Sequence, residues 1–253
     1  MSAPAVAITG STTGIGYGIA EAFAKAGARL VINSHLPDNG ALARLAALTE
    51  CHFVQADLST VAGAESFVRT AHAKLGWLDT LVNNAGTFLD RDFGTLDAAV
   101  FDRTFNLNVR GYLFAAQAFA NLVSEGQENA SIVCVGSTNS LAAERNSVVY
   151  DASKGAVLML VRSLAMSLAS RGIRVNGVGP GIIETPLTEP GLARPGTREM
   201  LAGQIPLGRV GQPDDVGGVA VFLASPAARY VTGQMLYVDG GIIAKQTSWD
   251  PVA

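Results

Sequence analysis

The sequence predicts an α/β fold, a parallel sheet covered by helices on both faces, and three observations carry that prediction. Seven short apolar runs, at 5–9, 29–33, 52–56, 80–83, 130–135, 174–178 and 234–238, alternate with amphipathic stretches at 16–26, 61–75, 98–125 and 153–170. Strand, helix and strand in repeated succession imply parallel pairing through right-handed crossovers. Hydrophobic residues make up 49% of the 253-residue chain and charged residues 15%, which suits strands buried on both sides better than a half-exposed antiparallel sheet.

No linker, charge block or compositional break divides the chain, so one domain over residues 1–253 is expected. The least regular segment is 180–213, with Pro180, Pro186, Pro190, Pro195, Pro206 and Pro213 among several glycines. It is expected to form a substrate loop or lid, with Leu187, Leu192 and Met200 as its apolar underside. A net charge of −3 provides no basic field for a nucleic acid. The first residues lack a charged region followed by an apolar one, and no uninterrupted apolar run is long enough to span a bilayer. Neither a nucleic-acid nor a membrane partner is therefore expected, and a cytoplasmic location is. Cys51 and Cys134 stand in apolar surroundings outside any CxxC pair and read as buried thiols. His35, His52 and His72 have no ligand spacing, so no protein-bound metal is expected.

The first strand leads directly into Thr9, Gly10, Ser11, Thr12, Thr13, Gly14, Ile15 and Gly16, and a helical pattern starts at about Gly16. Glycines let the backbone turn tightly and approach a diphosphate, while the helix N-terminus offers free N–H groups and a partial positive charge. Three residues, not one, separate Gly10 from Gly14, so this is not the common GxGxxG fingerprint. TGxxxGIG resembles the cofactor motif of the short-chain dehydrogenase/reductase family. The resemblance continues through Asp57-Leu58, Asn83-Asn84-Ala85-Gly86, Asn108, Ser137, the Tyr150-to-Lys154 pentad, Arg174-Val-Asn176, Pro180-Gly181, Thr232-Gly233 and Asp239-Gly240-Gly241. It implies a doubly wound, seven-stranded Rossmann-type sheet that binds NAD(H) or NADP(H).

Tyr150 and Lys154 are four residues apart in a helical stretch, so both side chains leave one face about a turn apart. A nearby ammonium favours the phenolate, and an oxidised nicotinamide adds to that effect, so Tyr150 is the expected acid and base. Ser137, at the end of the fifth strand and 13 positions before Tyr150, is expected to hold the reacting oxygen. The resemblance gives Asn108 the task of positioning Lys154 and an ordered water.

The resemblance also implies the cofactor contacts. Asp57 and Leu58 face the adenine, Asn83, Ala85 and Gly86 the adenosine side, and Tyr150 and Lys154 the nicotinamide ribose. Pro180, Gly181, Ile183 and Thr185 lie along the carboxamide end. At the end of the second strand Ser34, followed by His35, stands where a ribose-binding acid is usual. No Lys or Arg among its immediate neighbours would pair with a 2′-phosphate, and NAD is favoured over NADP.

The expected reaction interconverts a secondary alcohol, small and polar like a sugar or polyol, with its ketone or lactone. Ser137, Asn139, Glu144 and Tyr150 are the candidate substrate contacts. A 3-oxoacyl-thioester reductase and a non-catalytic dinucleotide-binding regulator are the alternatives. Because stretches 98–125 and 153–170 are apolar around much of their circumference, self-association as a homotetramer is expected.

Overall fold

The seven expected strands form, each within two residues of its anticipated bounds. In the computed structural model, which describes residues 3–89 and 91–245, they are β1 (Ala5–Ile8), β2 (Arg29–Ser34), β3 (Cys51–Gln55), β4 (Thr80–Asn83), β5 (Ser131–Val135), β6 (Arg174–Pro180) and β7 (Met235–Val238). All pair in parallel, in the order β3-β2-β1-β4-β5-β6-β7. The chain winds one way from β1 to β3 and the other way from β4 to β7. The crevice beyond the C-terminal ends of β1 and β4 is thus the topological switch point, where such sheets bind ligands.

Side chains alternate between two cores, as the period of a strand requires. Ala5, Ala7, Leu81, Ile132, Cys134 and Val175 face α3 (Val61–Leu75), α5 (Gly111–Leu122) and α6 (Val148–Leu168), where Phe67, Phe119 and Val161 complete one core. Val6, Ile8, Val82, Val133 and Val178 face α1 (Gly14–Lys25) and α9 (Pro213–Ala224), which add Ile19, Phe23, Val216 and Leu223.

Several elements differ from the sequence expectation. Stretch 98–125 is not one helix but α4 (Ala98–Phe105), a π-helical turn (Asn106–Arg110) and then α5. The turn precedes Gly111, where an added Cβ would lie 2.4 Å from the Leu58 carbonyl oxygen, so α5 lies hard against the β3–α3 loop. Such π turns gather at functional sites, and this one carries Asn108. Helix α6 starts five residues before the expected position 153, because Val148 and Val149 extend a pattern that polar Asp151, Ser153 and Lys154 interrupt. Its length and hydropathy would suffice to cross a membrane, but here Val157, Val161 and Ala165 are buried against the sheet.

The segment 180–213 contains two short helices, α7 (Glu189–Leu192) and α8 (Thr197–Gln204). Of its expected apolar underside only Leu192 is buried, while Leu187 and Met200 are 58% and 54% exposed. Helix α2 (Ala41–Ala46) and α9 were not foreseen. Pro213 looked like the end of a loop, yet it occupies the first position of α9, and Asp215 Oδ2 caps that helix by accepting from the Gln212 N–H at 2.7 Å. Cys134 is buried as expected, whereas Cys51 is only partly so.

Candidate active site

The glycine loop between β1 and α1 is held by side chains whose importance the sequence did not reveal. Asn33 Oδ1 accepts from the Gly10 N–H at 3.1 Å, while its Nδ2 donates to the Val54 and Ala56 carbonyls. Asn84 Nδ2 donates to the Thr9 and Gly10 carbonyls at 3.0 and 2.8 Å, and Thr9 Oγ1 accepts from the N–H groups of Asn84 and Ala85. Carboxamides at the ends of β2 and β4, each beside the glycine loop, were the signal available. Gly10 has φ +58, and a Cβ there would meet the Ala85 Cα at 2.7 Å; one on Gly16 would meet the Gly10 carbonyl oxygen at 2.2 Å. Only hydrogen fits at either position.

Ser11 is turned inward, donating to the Ile8 carbonyl at 2.7 Å, and supports the loop from below. Thr12 is buried and Thr13 exposed, and Thr13 places no side-chain cap on α1. The helix therefore presents backbone N–H groups at the switch point, above a floor that admits no Cβ, and this cradle fits a diphosphate. Thr185 closes it: its Cβ would be 3.3 Å from a Cβ on Gly14.

Toward the adenine end, Ser34 Oγ accepts from the Leu36 N–H at 3.0 Å and His35 is exposed. Asp57 Oδ1 accepts from the Ser59 N–H, which holds the Asp57 carboxyl below its usual range, and Leu58 is buried beside it. Asn83 points inward, its Nδ2 donating to the Tyr112 carbonyl at 3.1 Å. Gly86 lies against Asn108. Pro180 ends β6, the Gly181 N–H donates to the Val238 carbonyl, and Ile183 is buried.

The four candidate catalytic residues come from the turn after β5 (Ser137), the first turns of α6 (Tyr150 and Lys154) and the π turn before α5 (Asn108). Ser137 lies two residues beyond β5, not at its end, and begins a short 3₁₀ turn. Its hydroxyl lies within hydrogen-bonding reach of the Tyr150 phenol and favours the phenolate. Burial dominates nonetheless: together with the carboxylates of Glu144 and Asp151, it pushes the phenol up to about 12. The ring is wedged by Phe88, edge to face at 4.8 Å. Lys154 is buried, which brings its ammonium down to about 8. It donates to the Val135 carbonyl at 3.0 Å and stands 5.5 Å from the centre of the Tyr150 ring. The expected lowering of the phenol by Lys154 is therefore not the governing influence in the protein alone; desolvation is.

Asn108 is buried, with Oδ1 accepting from the Thr87 N–H and Nδ2 donating to the Thr87 carbonyl and to Ser153 Oγ. Its carboxamide braces the β4–α4 loop against α6 rather than touching Lys154. Asn139 also differs from expectation: its side chain bonds Ser137 and Asp151 instead of facing outward. Ser140 Oγ is within 2.8 Å of Tyr237 Oη. The lid is tied at its root, where both Glu184 oxygens accept from Arg198 and Gln212 Nε2 donates to Oε2.

A phosphate cradle at the switch point, with a phenol, hydroxyl and ammonium gathered beyond it, defines a nicotinamide-dependent oxidoreductase. Residues 10–243 match the family described as enoyl-(acyl carrier protein) reductase. L-Rhamnose-1-dehydrogenase of Scheffersomyces stipitis is 37% identical over 245 residues, covering 94% of this chain and 95% of that protein. Galactitol 2-dehydrogenase (L-tagatose-forming) of Cereibacter sphaeroides is 37% identical over 244 residues, or 93% of each chain. The crystal structure of 3-oxoacyl-[acyl-carrier protein] reductase from Brucella melitensis in complex with NAD superposes with a TM-score of 0.92 at 32% identity, covering 98% of this chain and 100% of that one. The chain belongs to the short-chain dehydrogenase/reductase family and is an NAD(P)-dependent oxidoreductase acting on a CH–OH group.

Proposed function

We propose that this enzyme interconverts one carbinol of a small sugar or polyol with the corresponding ketone or lactone, and that one domain spanning the chain carries out the whole reaction. The observation that carries the proposal is the polar turn before Tyr150, where Ser137, Asn139 and Ser140 are hydrogen-bonded to one another and Asn139 to the Asp151 carboxylate. Hydroxyl, carboxamide and carboxylate groups gathered in this way suit the hydroxyls of a polyol and make a poor neighbour for a long acyl chain. Similarity to proteins named as rhamnose and galactitol dehydrogenases supports the same substrate class.

When bound, the dinucleotide supplies the hydride acceptor or donor. In the oxidative direction Ser137 holds the substrate oxygen, and the Tyr150 phenolate takes its proton. Lys154 supplies positive charge on the ribose side of that phenolate, and Asn108 keeps the β4–α4 loop and α6 in register. Gly10 to Gly16 would hold the diphosphate, while Ser34, His35, Asp57, Leu58, Ala85 and Gly86 would line the adenosine, with the inward-turned Asn83 bracing that wall through the Tyr112 carbonyl. Pro180, Gly181, Ile183 and Thr185 flank the carboxamide, and segment 180–213 covers the substrate. NAD is the preferred form, because Arg44, a cation on the neighbouring helix, is stacked on Tyr17 at 5.0 Å and its Nε is bonded to that phenol. The working unit is a cytoplasmic homotetramer assembled through the broad apolar faces of α4, α5 and α6.

The deciding experiment measures NAD(P)H formation and loss with sugars, polyols, hydroxy acids, steroids and 3-oxoacyl thioesters. A sugar or polyol with the highest kcat/KM is expected. A 3-oxoacyl thioester turning over faster would replace the polyol reading, and a monomeric mass by light scattering would overturn the tetramer.

A further inference from the structure

We propose that Asn139 and Asp151 are positioning residues, a carboxamide–carboxylate pair that sets the rotamer of Ser137. The inference rests on the catalytic reading of Ser137 and Tyr150 given above and extends it to two residues behind the reacting groups.

The geometry is a chain of hydrogen bonds that admits one direction. Asp151, in the first turn of α6 next to Tyr150, is an acceptor only. Its Oδ1 stands 2.8 Å from Asn139 Nδ2, so that end of the carboxamide must be the NH₂. The oxygen end then faces Ser137, and Ser137 Oγ donates to Asn139 Oδ1 at 3.0 Å. The Asn139 backbone N–H donates back to Ser137 Oγ at 3.1 Å, so two contacts hold that oxygen in one rotamer, from which the hydroxyl proton can turn from Asn139 Oδ1 to the Tyr150 phenolate or the reacting oxygen. Asp151 is itself held by Ser147 Oγ, at 2.8 and 2.9 Å from its two oxygens, and by the Glu144 N–H at 3.2 Å. The serine oxygen is thus held in place from two hydrogen bonds away by the Asp151 carboxylate.

A purely structural role would make Asp151 a staple for residues 141–147 and Asn139 a turn residue. Exchanging the pair separates the two roles. Asn139→Asp combined with Asp151→Asn again places an oxygen opposite Ser137, with the new amide at position 151 donating to the new carboxylate. Asn139→Asp alone sets two carboxylates against each other. Asn139→Ala is expected to lower kcat about tenfold with KM nearly unchanged, because the serine loses alignment and the binding groups remain. Asn139→Asp should be the most damaging single change, and the double exchange should restore kcat to within about threefold of the parent enzyme. In a Ser137→Ala background, Asn139→Ala should cost less than about twofold, since there is no hydroxyl left to hold.

A readout independent of turnover is the ultraviolet titration of the Tyr150 phenol, with Tyr150→Phe as the blank. Asp151→Asn should move it to lower pH by removing a nearby negative charge, and the double exchange should return it toward the parent value. A double exchange no better than Asn139→Asp, or an Asn139→Ala cost undiminished in the Ser137→Ala background, overturns the proposal. Failure of the parent enzyme on every sugar and polyol would count against the substrate reading alone, because the titration tests the pair without substrate.

Discussion

The Lys154 ammonium is bonded to the Val135 carbonyl rather than to the Tyr150 phenol, although its Nζ lies only 5.5 Å from the centre of that ring. Tyr112 Oη donates to the same carbonyl at 3.2 Å, so two buried donors share one acceptor at the end of β5. The arrangement has consequences for stability and for rate.

Lys154 has a folded pKa of about 8 against an ordinary 10.5, so between those values the unfolded chain binds the extra proton. The burial penalty is fully present below about pH 8 and is relieved as pH rises toward 10.5, so this group makes stability increase over that window. Lys154→Met should raise Tm at neutral pH by on the order of 5 °C and abolish the rise. Calorimetric scans from neutral to alkaline pH measure both effects.

Tyr150 has the opposite sign. Its folded pKa of about 12 exceeds the ordinary 10, so the unfolded chain ionises first and stability contributed by this group is lost as pH rises above 10. Tyr150→Phe should remove that alkaline loss and lower kcat by about 10²- to 10⁴-fold while cofactor Kd changes little. A variant retaining near-parent kcat would remove Tyr150 from the chemistry.

The cradle predicts a different signature. Gly10→Ala drives a Cβ into the Ala85 backbone at a positive φ, and Gly16→Ala drives one into the Gly10 carbonyl. Each should weaken dinucleotide binding by at least about tenfold, measured by fluorescence quenching, together with a loss of Tm. Gly27→Ala, where an added Cβ meets nothing, separates the cost of positive φ from the loss of the cradle.

Glu184 stands between Ile183 and Thr185, its carboxyl held down at about 2 by Arg198 and then Gln212. Both partners of the ion pair are partly exposed, so Glu184→Gln should leave Tm within about 2 °C. If the pair ties α8 over the substrate, KM should rise severalfold with kcat nearly constant. A fall in kcat at constant KM would place Glu184 elsewhere in the cycle.

The alternation of apolar runs with helical stretches determined the parallel sheet, because strand and helix periods are local properties of the chain. The glycine spacing and the candidates Tyr150, Lys154 and Ser137 were visible as well, since they are short motifs that stand in the order the family resemblance leads one to expect. Tertiary structure alone decided what surrounds those groups. Asn33, Asn84 and Thr9 support the glycine loop from three strand ends that are far apart in sequence. The π turn at Asn108 depends on α5 pressing against Leu58, a contact that no local period encodes. Asn139 looked like a substrate ligand because its turn is polar, and it became Ser137's partner only when the start of α6 brought Asp151 within 2.8 Å. Burial raised Tyr150 and lowered Lys154 against the simple expectation from their spacing, because desolvation depends on everything packed around a charge and not on the four residues that separate two of them.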